Sequence, residues 1–291
     1  MKKLWEWFLI TLELGKIKIT FSVTVTTTVG YLLAPQPWKS NLIWPVLGIL
    51  LIGLSSAALN QIQDQKLDLK MKRTQGRPLP SGRVTTGFAW AYVLLYFFIG
   101  VSILFVKTNI IAGALGISAY VWYNGIYTYL KRISPIAVIP GSVIGGVPPA
   151  VGWAAAGGDI LDPYILSICI FMVIWQIPHF WLLLFLYGND YHAAGLPTLT
   201  KIISERSLQI LTFIGIVLTI TSAFMITFFG NYNDKYGYAI TLILSVVLIY
   251  LSIGLLLNSK NILYKKTFIS INIYSVLILI LNLLMGTLNR V

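Results

Sequence analysis

The sequence predicts an all-α polytopic membrane protein with nine transmembrane helices, and three observations support this fold class. Of the 291 residues, 57% are hydrophobic and 10% are charged, whereas soluble domains carry about 25% charged residues. Apolar segments long enough to cross a bilayer, which takes about 20 residues each, recur along the chain. No segment sustains the two-residue alternation of a membrane-spanning strand. We therefore expect one transmembrane domain over residues 1–291. The length of such a chain indicates how many helices cross the membrane and not how many soluble domains it contains.

The nine spans are apolar runs taken in chain order. Before the first of them, the apolar stretch of "MKKLWEWFLITLELGK" is short and interrupted by Glu6 and Glu13, so no signal peptide is expected. The fifth contains "PGSVIGGVPPAVGW" and is predicted to be kinked or broken, since non-helical backbone at membrane depth is tolerated where protein shelters it. The predicted spans cover residues 17–34, 41–59, 86–106, 109–129, 136–156, 163–187, 208–229, 238–258 and 267–287.

The basic residues predict how these spans are oriented. A net charge of +12 would suggest nucleic-acid binding in a soluble protein. In a chain with membrane spans, the same positive charge indicates cytoplasmic loops that face anionic lipid head groups. No nucleic-acid partner is therefore expected. With the N-terminus in the cytoplasm, seventeen of the 21 lysines and arginines fall on the inner side. The four on the outer side are Lys39, Lys107, Lys235 and Arg290.

The first candidate site is the stretch "NQIQDQKLDLKMKRTQGRPLPSGR", which follows the second span. Asn60, Asp64 and Asp68 are spaced by four residues and therefore line one helix face. Gly76 and Pro78 are predicted to end this helix. Such a row of hard oxygen atoms suits Mg²⁺, which is usually held by one or two carboxylates plus substrate phosphates. The alternative is a solvated loop with ordinary helical ion pairs, but carboxylates at the end of an apolar run favour function.

Basic residues downstream of this row are candidates for binding phosphate. Arginine is suited to the role because its guanidinium pairs with phosphate oxygens as a fork. In the second cluster, "YNGIYTYLKRIS", Lys131 lies one turn after Tyr127. Lys131 either binds a phosphate or belongs to a snorkelling Lys–Arg pair beside interfacial aromatic residues. The candidates in the first stretch are Lys72, Arg73, Arg77 and Arg83.

The third cluster, "WQIPHFWLLLFLYGNDYHAAGLPTL", contains both histidines, His179 and His192. Pro178 is predicted to kink the sixth span beside His179. An imidazole flanked by Trp175 and Trp181 could contact a flat aromatic ligand or ligate a metal. The alternative is a hydrogen-bonded histidine in the protein interior.

Asp190 and Tyr191 begin the next inner loop and could face the first carboxylate row across a central cavity. Two sources of carboxylate with lysine and arginine between them suit a metal-bridged diphosphate. The single cysteine, Cys169, excludes an intrachain disulfide and a cysteine metal site. The mid-span charges of a proton relay are missing, which disfavours an ion-coupled transporter.

Together these residues resemble the intramembrane aromatic prenyltransferase superfamily. The row Asn60, Asp64 and Asp68, followed by "MKRTQGRPLPSG", is similar to its first Asp-rich motif. The stretch "YTYLKRISP" resembles its Tyr/Lys-Arg motif. Within the superfamily, "WQIPHFW" with "DYHAAGLPTL", and also "GGVPPAVGW", resemble the protoheme IX farnesyltransferase (haem O synthase) branch. The resemblance covers roughly residues 10–210.

The resemblance implies a prenyltransferase with nine helices around a central cavity capped by cytoplasmic loops. It implies transfer of a farnesyl group from farnesyl diphosphate to a vinyl group of haem B, giving haem O, with Mg²⁺ as cofactor. It further implies a multi-pass protein of a prokaryotic inner (plasma) membrane with cytoplasmic active-site loops. Its partners would be the lipid bilayer and a downstream haem-modifying or oxidase-assembly protein.

The resemblance also assigns roles to residues. The catalytic residues would be Asn60, Asp64, Asp68 and Lys131; the metal ligands Asn60, Asp64, Asp68 and Asp190; the diphosphate-binding residues Lys72, Arg73, Arg77, Tyr127, Lys131 and Arg132; and the haem-side residues Trp175, His179, Asp190 and Tyr191.

Of two departures from the motifs, the first leaves the acceptor open and the second supports the haem O synthase branch. The sequence Ser134-Pro135-Ile136-Ala137 stands where the branch usually has Thr-x-x-Asn. Asp190 is followed one turn later by Ala194, where the superfamily commonly has a second Asp and the haem O synthase branch does not. The alternatives are a prenyltransferase for a quinone or chlorophyll precursor and, from a different class, a membrane transporter.

Overall fold

The computed structural model describes residues 2–35, 41–230, 235–257 and 261–288, and within these ranges the chain forms helices and turns without a strand. Three basic residues of the orientation argument, Lys39, Lys260 and Arg290, lie outside the described residues. The helices are α1 Lys2–Leu14, α2 Ile17–Leu33, α3 Ile43–Asp68, α4 Thr86–Lys107, α5 Ile110–Val121, α6 Thr128–Ile133, α7 Val138–Ala155, α8 Pro163–Ala193, α9 Glu205–Phe229, α10 Lys235–Ser252 and α11 Asn261–Leu288. A π-helix, Trp122–Tyr127, joins α5 to α6, and 3₁₀ turns cover Leu199–Lys201 and Ile253–Leu256.

The predicted all-α membrane fold is confirmed. Seven described helices are long and apolar enough to cross a membrane: α3, α4, α7, α8, α9, α10 with its 3₁₀ extension, and α11. The first predicted span is a helix of 17 residues, and the fourth is divided by the π-helix. The count of nine spans and the cytoplasmic N-terminus therefore stay predictions.

The fifth span is not broken as one form of the prediction required, because α7 runs without interruption and contains Pro148 and Pro149. The predicted kink stays a prediction. The backbone of α7 packs closely against that of α2. A Cβ added at Gly30 would lie 1.9 Å from the carbonyl oxygen of Pro149, and one added at Gly152 would lie 1.9 Å from that of Thr27. Only glycine permits the two backbones to approach so closely.

In α8, the residue with non-helical dihedral angles is Tyr187 (φ −128°, ψ 17°). The sequence predicted the kink at Pro178, but it lies nine positions later, at Tyr187. Gly188 follows directly, and glycine weakens a helix because it leaves the backbone more conformational freedom.

We expect Gly30→Ala and Gly152→Ala to lower the free energy of unfolding by more than about 3 kcal/mol, because each new methyl group would overlap a backbone carbonyl that cannot move aside. Thermal unfolding of the purified protein in detergent measures the effect. Gly87→Ala is the matched control, since nothing lies within 4 Å of a Cβ added there. Equal melting temperatures for Gly30→Ala and Gly87→Ala would contradict the contact between α2 and α7.

The chain divides into two units. The first comprises Met1–Ser134, Val147–Gly158 and Asn189–Leu196, and the second Pro135–Gly146, Asp159–Gly188 and Pro197–Val291. In the first unit, Leu79 and Val84 of the loop after α3 are buried in a core with residues of α1, α3 and α4. This loop is therefore packed against the helices rather than solvated.

In the second unit, α8, α9, α10 and α11 all contribute buried hydrophobic side chains. Part of its buried polar network links α9 to α11, since the Tyr264 hydroxyl accepts a hydrogen bond from Gln209 (2.8 Å) and donates one to Glu205. Side chains that α9, α10 and α11 bury completely include Leu208, Ile216, Ile226, Leu248, Ile271 and Ile278.

Candidate active site

The three oxygen-bearing residues that the sequence placed on one helix face lie on the last turns of α3 and are buried, with exposures of 3% for Asn60, 4% for Asp64 and 1% for Asp68. We call this set the oxygen ladder. The helix ends at Asp68 rather than at the predicted Gly76. The Thr74 hydroxyl donates to the carbonyl oxygen of Asp68 (2.9 Å), which satisfies one of the carbonyls left free at the helix end. The chain then folds back as turns over the ladder.

Asp64 is the centre of the hydrogen-bond network. Its Oδ2 atom accepts from Lys131 Nζ and from Asn60 Nδ2 (2.8 Å), and its Oδ1 atom accepts from Arg132 Nη2 (3.0 Å). The short helix α6 carries both cations, so the Lys-Arg pair of the second cluster meets the first cluster in space. A buried carboxylate is tolerated here because it is paired and hydrogen-bonded.

Asp68 is paired with Arg77 of the loop after α3. One guanidinium nitrogen of Arg77, Nη1, lies 2.9 Å from Asp68 Oδ1 and 2.8 Å from Asp68 Oδ2. The pairing brings a third basic residue of the predicted diphosphate set onto the ladder, after Lys131 and Arg132.

Arg83 of the same loop pairs with a different carboxylate. Arg83 forms a fork with Glu13, with two contacts of 2.8 Å, and also donates to the carbonyl oxygen of Gly76. The hydrogen bond with Glu13 raises the pKa of Arg83. Arg83 is thus engaged by a carboxylate outside the ladder, and Lys72 is exposed to solvent. The sequence could not separate these arginines because they share one loop.

Asp190 lies beside the same loop, since its Oδ2 atom accepts from the backbone nitrogen of Arg73 (3.2 Å). Tyr191 packs against a buried cluster that contains Met71, Ala194 and Leu196. The position one turn after Asp190, where the superfamily commonly has a second acid, is therefore filled by a buried methyl group. Within the described part of the chain, no three acidic or histidine side chains gather into a group able to hold a metal ion.

Tyrosine rings border the ladder. The rings of Tyr123 and Tyr127 are stacked, with centroids 5.7 Å apart. The Lys131 ammonium lies 6.0 Å from the centroid of the Tyr127 ring. π-Helices are rare and frequently occur at functional sites, and this one places both tyrosines and Lys131 on neighbouring turns.

Sequence reasoning missed Asn124, which the π-helix buries at 3% exposure. Its Nδ2 atom donates to Ser56 Oγ (2.7 Å), while its Oδ1 atom has no hydrogen-bond partner among the described residues. Ser56 lies four residues before Asn60 and continues the spacing of the ladder by one turn. The four-residue spacing from Ser56 to Asn60 was the sequence pattern that could have extended the site to Ser56 and its partner Asn124.

Sequence reasoning also missed Lys16, which it counted only as one of the seventeen basic residues on the inner side. The Lys16 ammonium donates to Asn60 Oδ1 (2.8 Å). Burial, with the positive charges of Arg77 and Lys131, lowers the pKa of Lys16 to about 7, against the raising effect of the two ladder carboxylates. The pattern around Lys16 gave no signal, because its contact depends on a break between α1 and α2.

In the second unit, His179 Nδ1 lies 3.0 Å from Asn272 Oδ1. The Asn272 amide nitrogen donates to the carbonyl oxygen of Phe268, so its oxygen must accept and His179 Nδ1 carries the proton. Trp175 packs beside the imidazole, with ring centroids 4.8 Å apart, and donates to the carbonyl oxygen of Ile271. His179 is thus a hydrogen-bonded residue among aromatic rings, whereas His192 is exposed.

The ladder suits a hard divalent cation. Two carboxylates and an amide oxygen on successive turns match the oxygen ligands of Mg²⁺, which takes one or two carboxylates together with substrate phosphates. In this structure each of the three side chains is hydrogen-bonded to a cation. The pairs are Asn60 with Lys16, Asp64 with Lys131 and Arg132, and Asp68 with Arg77.

Comparisons with known proteins show which sequences and structures resemble this chain. Residues 23–276 match the model of the UbiA prenyltransferase family. The chain is 40% identical over 187 residues to the mitochondrial protoheme IX farnesyltransferase of Arabidopsis thaliana; the match covers 63% of this chain and 43% of that protein. It is 36% identical over 216 residues to the protoheme IX farnesyltransferase of Thioalkalivibrio sulfidiphilus, covering 72% of this chain and 70% of that protein.

Solved structures share the fold at low sequence identity. A digeranylgeranylglyceryl phosphate synthase superposes with a TM-score of 0.79 at 16% identity, covering 98% of this chain and 99% of that one. A UbiA homolog from Archaeoglobus fulgidus, bound to GPP and Mg²⁺, superposes with a TM-score of 0.59 at 15% identity, covering 96% and 99%.

Proposed function

Because the chain belongs to the UbiA prenyltransferase family, we propose that it transfers a farnesyl group from farnesyl diphosphate to a vinyl group of haem B. The bond between farnesyl C1 and the diphosphate oxygen breaks, and its electron pair leaves with the diphosphate. The vinyl group attacks the farnesyl carbon, and water then adds a hydroxyl group and releases a proton. The product is the hydroxyethylfarnesyl haem known as haem O.

The observation that carries this proposal is the set of cations on the oxygen ladder. Four cationic side chains meet two buried carboxylates, which leaves an excess of positive charge beside the end of a membrane helix. A prenyl diphosphate has the complementary form, a polyanionic head on an apolar chain. The cations are Lys16, Arg77, Lys131 and Arg132.

These residues would act on the departing diphosphate. Lys131, Arg132 and Arg77 would turn from their carboxylates to diphosphate oxygens and stabilise the charge that develops there. Tyr127 would border the head group, and Lys72 and Arg73 complete the proposed set. The apolar helices would keep water from the electrophilic farnesyl carbon until the vinyl group reaches it.

The proposed cofactor is Mg²⁺, and its proposed ligands are Asn60, Asp64, Asp68 and Asp190. The three carboxylates do not form one group in this structure, so the ladder residues and Asp190 would meet on the bound ion. When bound, it would supply Lewis-acid stabilisation of the diphosphate oxygens. The ladder residues themselves would orient the head group, because their positions on successive turns of α3 are fixed by packing.

The proposed setting is the inner membrane of a prokaryote, with the N-terminus and the loops that follow α3 and α8 in the cytoplasm. The positive-inside distribution of the basic residues supports this orientation. Haem B, farnesyl diphosphate and the bilayer are the proposed partners, together with a downstream haem-modifying or oxidase-assembly protein. The proposed haem-side residues are Trp175, His179, Asp190 and Tyr191.

The proposal is tested with the purified full chain in liposomes that contain Mg²⁺, haem B and farnesyl diphosphate. We expect mass spectrometry of the extracted haem to show one added farnesyl group and one added hydroxyl group, with release of one diphosphate and one proton. Geranyl and geranylgeranyl diphosphate are supplied in parallel reactions, and we expect less product from each.

A quinone precursor and a chlorophyll precursor replace haem B in further reactions. Prenylation of one of these while haem B stays unmodified would contradict haem as the acceptor but not prenyl transfer. Intact farnesyl diphosphate with every acceptor would contradict both.

A further inference from the structure

Lys16 forms the joint between α1 and α2 in an unusual backbone conformation. Its φ of 49° and ψ of 52° lie in the left-handed region, and among the described residues it alone combines a positive φ with a side chain. Lysine adopts this region rarely. Such conformations persist where surrounding contacts enforce them, and they cluster at functional sites. Lys18, two residues later, is exposed and lies within regular helix.

The contact made by Lys16 fixes the orientation of the Asn60 side chain. An ammonium only donates hydrogen bonds, so the Asn60 atom 2.8 Å from Lys16 Nζ is the amide oxygen. The amide nitrogen then donates to Asp64 Oδ2 (2.8 Å) and to Thr128 Oγ1 (3.3 Å). The ammonium therefore occupies the one atom through which Asn60 could bind a metal ion.

The surroundings of Lys16 favour an additional anion. Arg77 and Lys131 repel its charge, while the two ladder carboxylates attract it. Those carboxylates are already hydrogen-bonded to other cations. Neutral Asn60 is thus the direct partner of Lys16, and an amide oxygen satisfies an ammonium less well than an anionic oxygen does.

We propose that Lys16 is a diphosphate-binding residue that exchanges partners. With the site free of ligand, its ammonium holds Asn60 Oδ1. When a prenyl diphosphate enters, the ammonium donates to a diphosphate oxygen and leaves the amide oxygen open to a divalent cation. This inference rests on the proposed function, since it requires a diphosphate ligand, and it adds a cation from the first helices of the chain.

The test measures inorganic pyrophosphate and Mg²⁺ binding by calorimetry on the purified full chain in detergent. In Lys16→Met, we expect binding of pyrophosphate in the presence of Mg²⁺ to weaken about 10- to 100-fold, the effect of losing a hydrogen bond between charged groups. We expect Mg²⁺ alone to bind more tightly, because the variant removes a competing positive charge from Asn60. The two effects have opposite signs, whereas a general loss of structure would weaken both.

Two further variants complete the test. Lys16→Arg keeps the charge and is expected to bind pyrophosphate within a few-fold of the unaltered protein, and Lys18→Met is expected to change neither affinity. Unchanged pyrophosphate binding in Lys16→Met would overturn this inference alone, as would parallel weakening of pyrophosphate and Mg²⁺ binding in both Lys16 variants. Absence of pyrophosphate binding by the unaltered protein would overturn the proposed function as well.

Discussion

Replacing Asp64 by Asn is expected to lower the rate of prenyl transfer by about 10³-fold, the effect of removing a group that stabilises transition-state charge. Asp64 accepts hydrogen bonds from Asn60, Lys131 and Arg132 through its two oxygens. An asparagine keeps one oxygen and turns an amide nitrogen toward a cation. The variant therefore loses both a proposed metal ligand and the anchor that positions Lys131 and Arg132, the two cations proposed to bind the diphosphate.

The measurement is diphosphate release by the purified protein at saturating Mg²⁺, with thermal unfolding recorded on the same sample. Asp162→Asn is the matched control, because Asp162 caps the start of α8 through the backbone nitrogen of Tyr164 (2.7 Å) and an asparagine oxygen can accept the same bond. We expect the control to keep its activity. Full activity in Asp64→Asn would refute the assignment of the ladder as the catalytic site.

Arg77→Met is expected to lower kcat/KM for farnesyl diphosphate about 10²-fold, whereas Arg83→Met should change it by less than about 3-fold. The two arginines share one loop, but Arg77 contacts buried Asp68 and Arg83 contacts exposed Glu13. Only Arg77 can transfer its hydrogen bonds from the ladder to a ligand bound there.

Steady-state kinetics with varied farnesyl diphosphate separates the two variants. The exposed pair of Arg83 and Glu13 contributes about 0–1 kcal/mol to stability, so Arg83→Met also tests whether the loop keeps its fold without this pair. Equal losses of kcat/KM in both variants would indicate that the whole loop, rather than Arg77, binds the diphosphate.

Local patterns explain what the sequence predicted correctly. Hydropathy fixed the all-α membrane fold because a backbone in lipid must satisfy its own hydrogen bonds. The four-residue spacing placed Asn60, Asp64 and Asp68 on one face, because helical geometry makes that consequence unavoidable. Both inferences need only residues close in the chain.

The errors and omissions arise from contacts between distant segments. The "PGSVIGGVPPAVGW" stretch forms a continuous helix because Gly30 of α2 allows close packing, which the composition of α7 alone does not reveal. Lys16 reaches Asn60 across 44 positions, and Arg83 reaches Glu13 across 70. From the sequence alone, Arg83 is a candidate for binding phosphate. The fold shows that its guanidinium is instead hydrogen-bonded to the Glu13 carboxylate.

The length of α3 determines how deep in the bilayer the ladder lies. With 26 residues, the helix extends about 39 Å, and the hydrocarbon layer is about 30 Å thick. If α3 begins at the opposite edge of that layer, its last six residues extend beyond the acyl chains, to the level of the lipid phosphates. A prenyl diphosphate dissolved in the same leaflet already carries its head at this level. Under the proposed function, a prenyl diphosphate would therefore reach Asp64 and Asp68, which are among these six residues, by diffusing sideways with its isoprenoid tail kept in lipid.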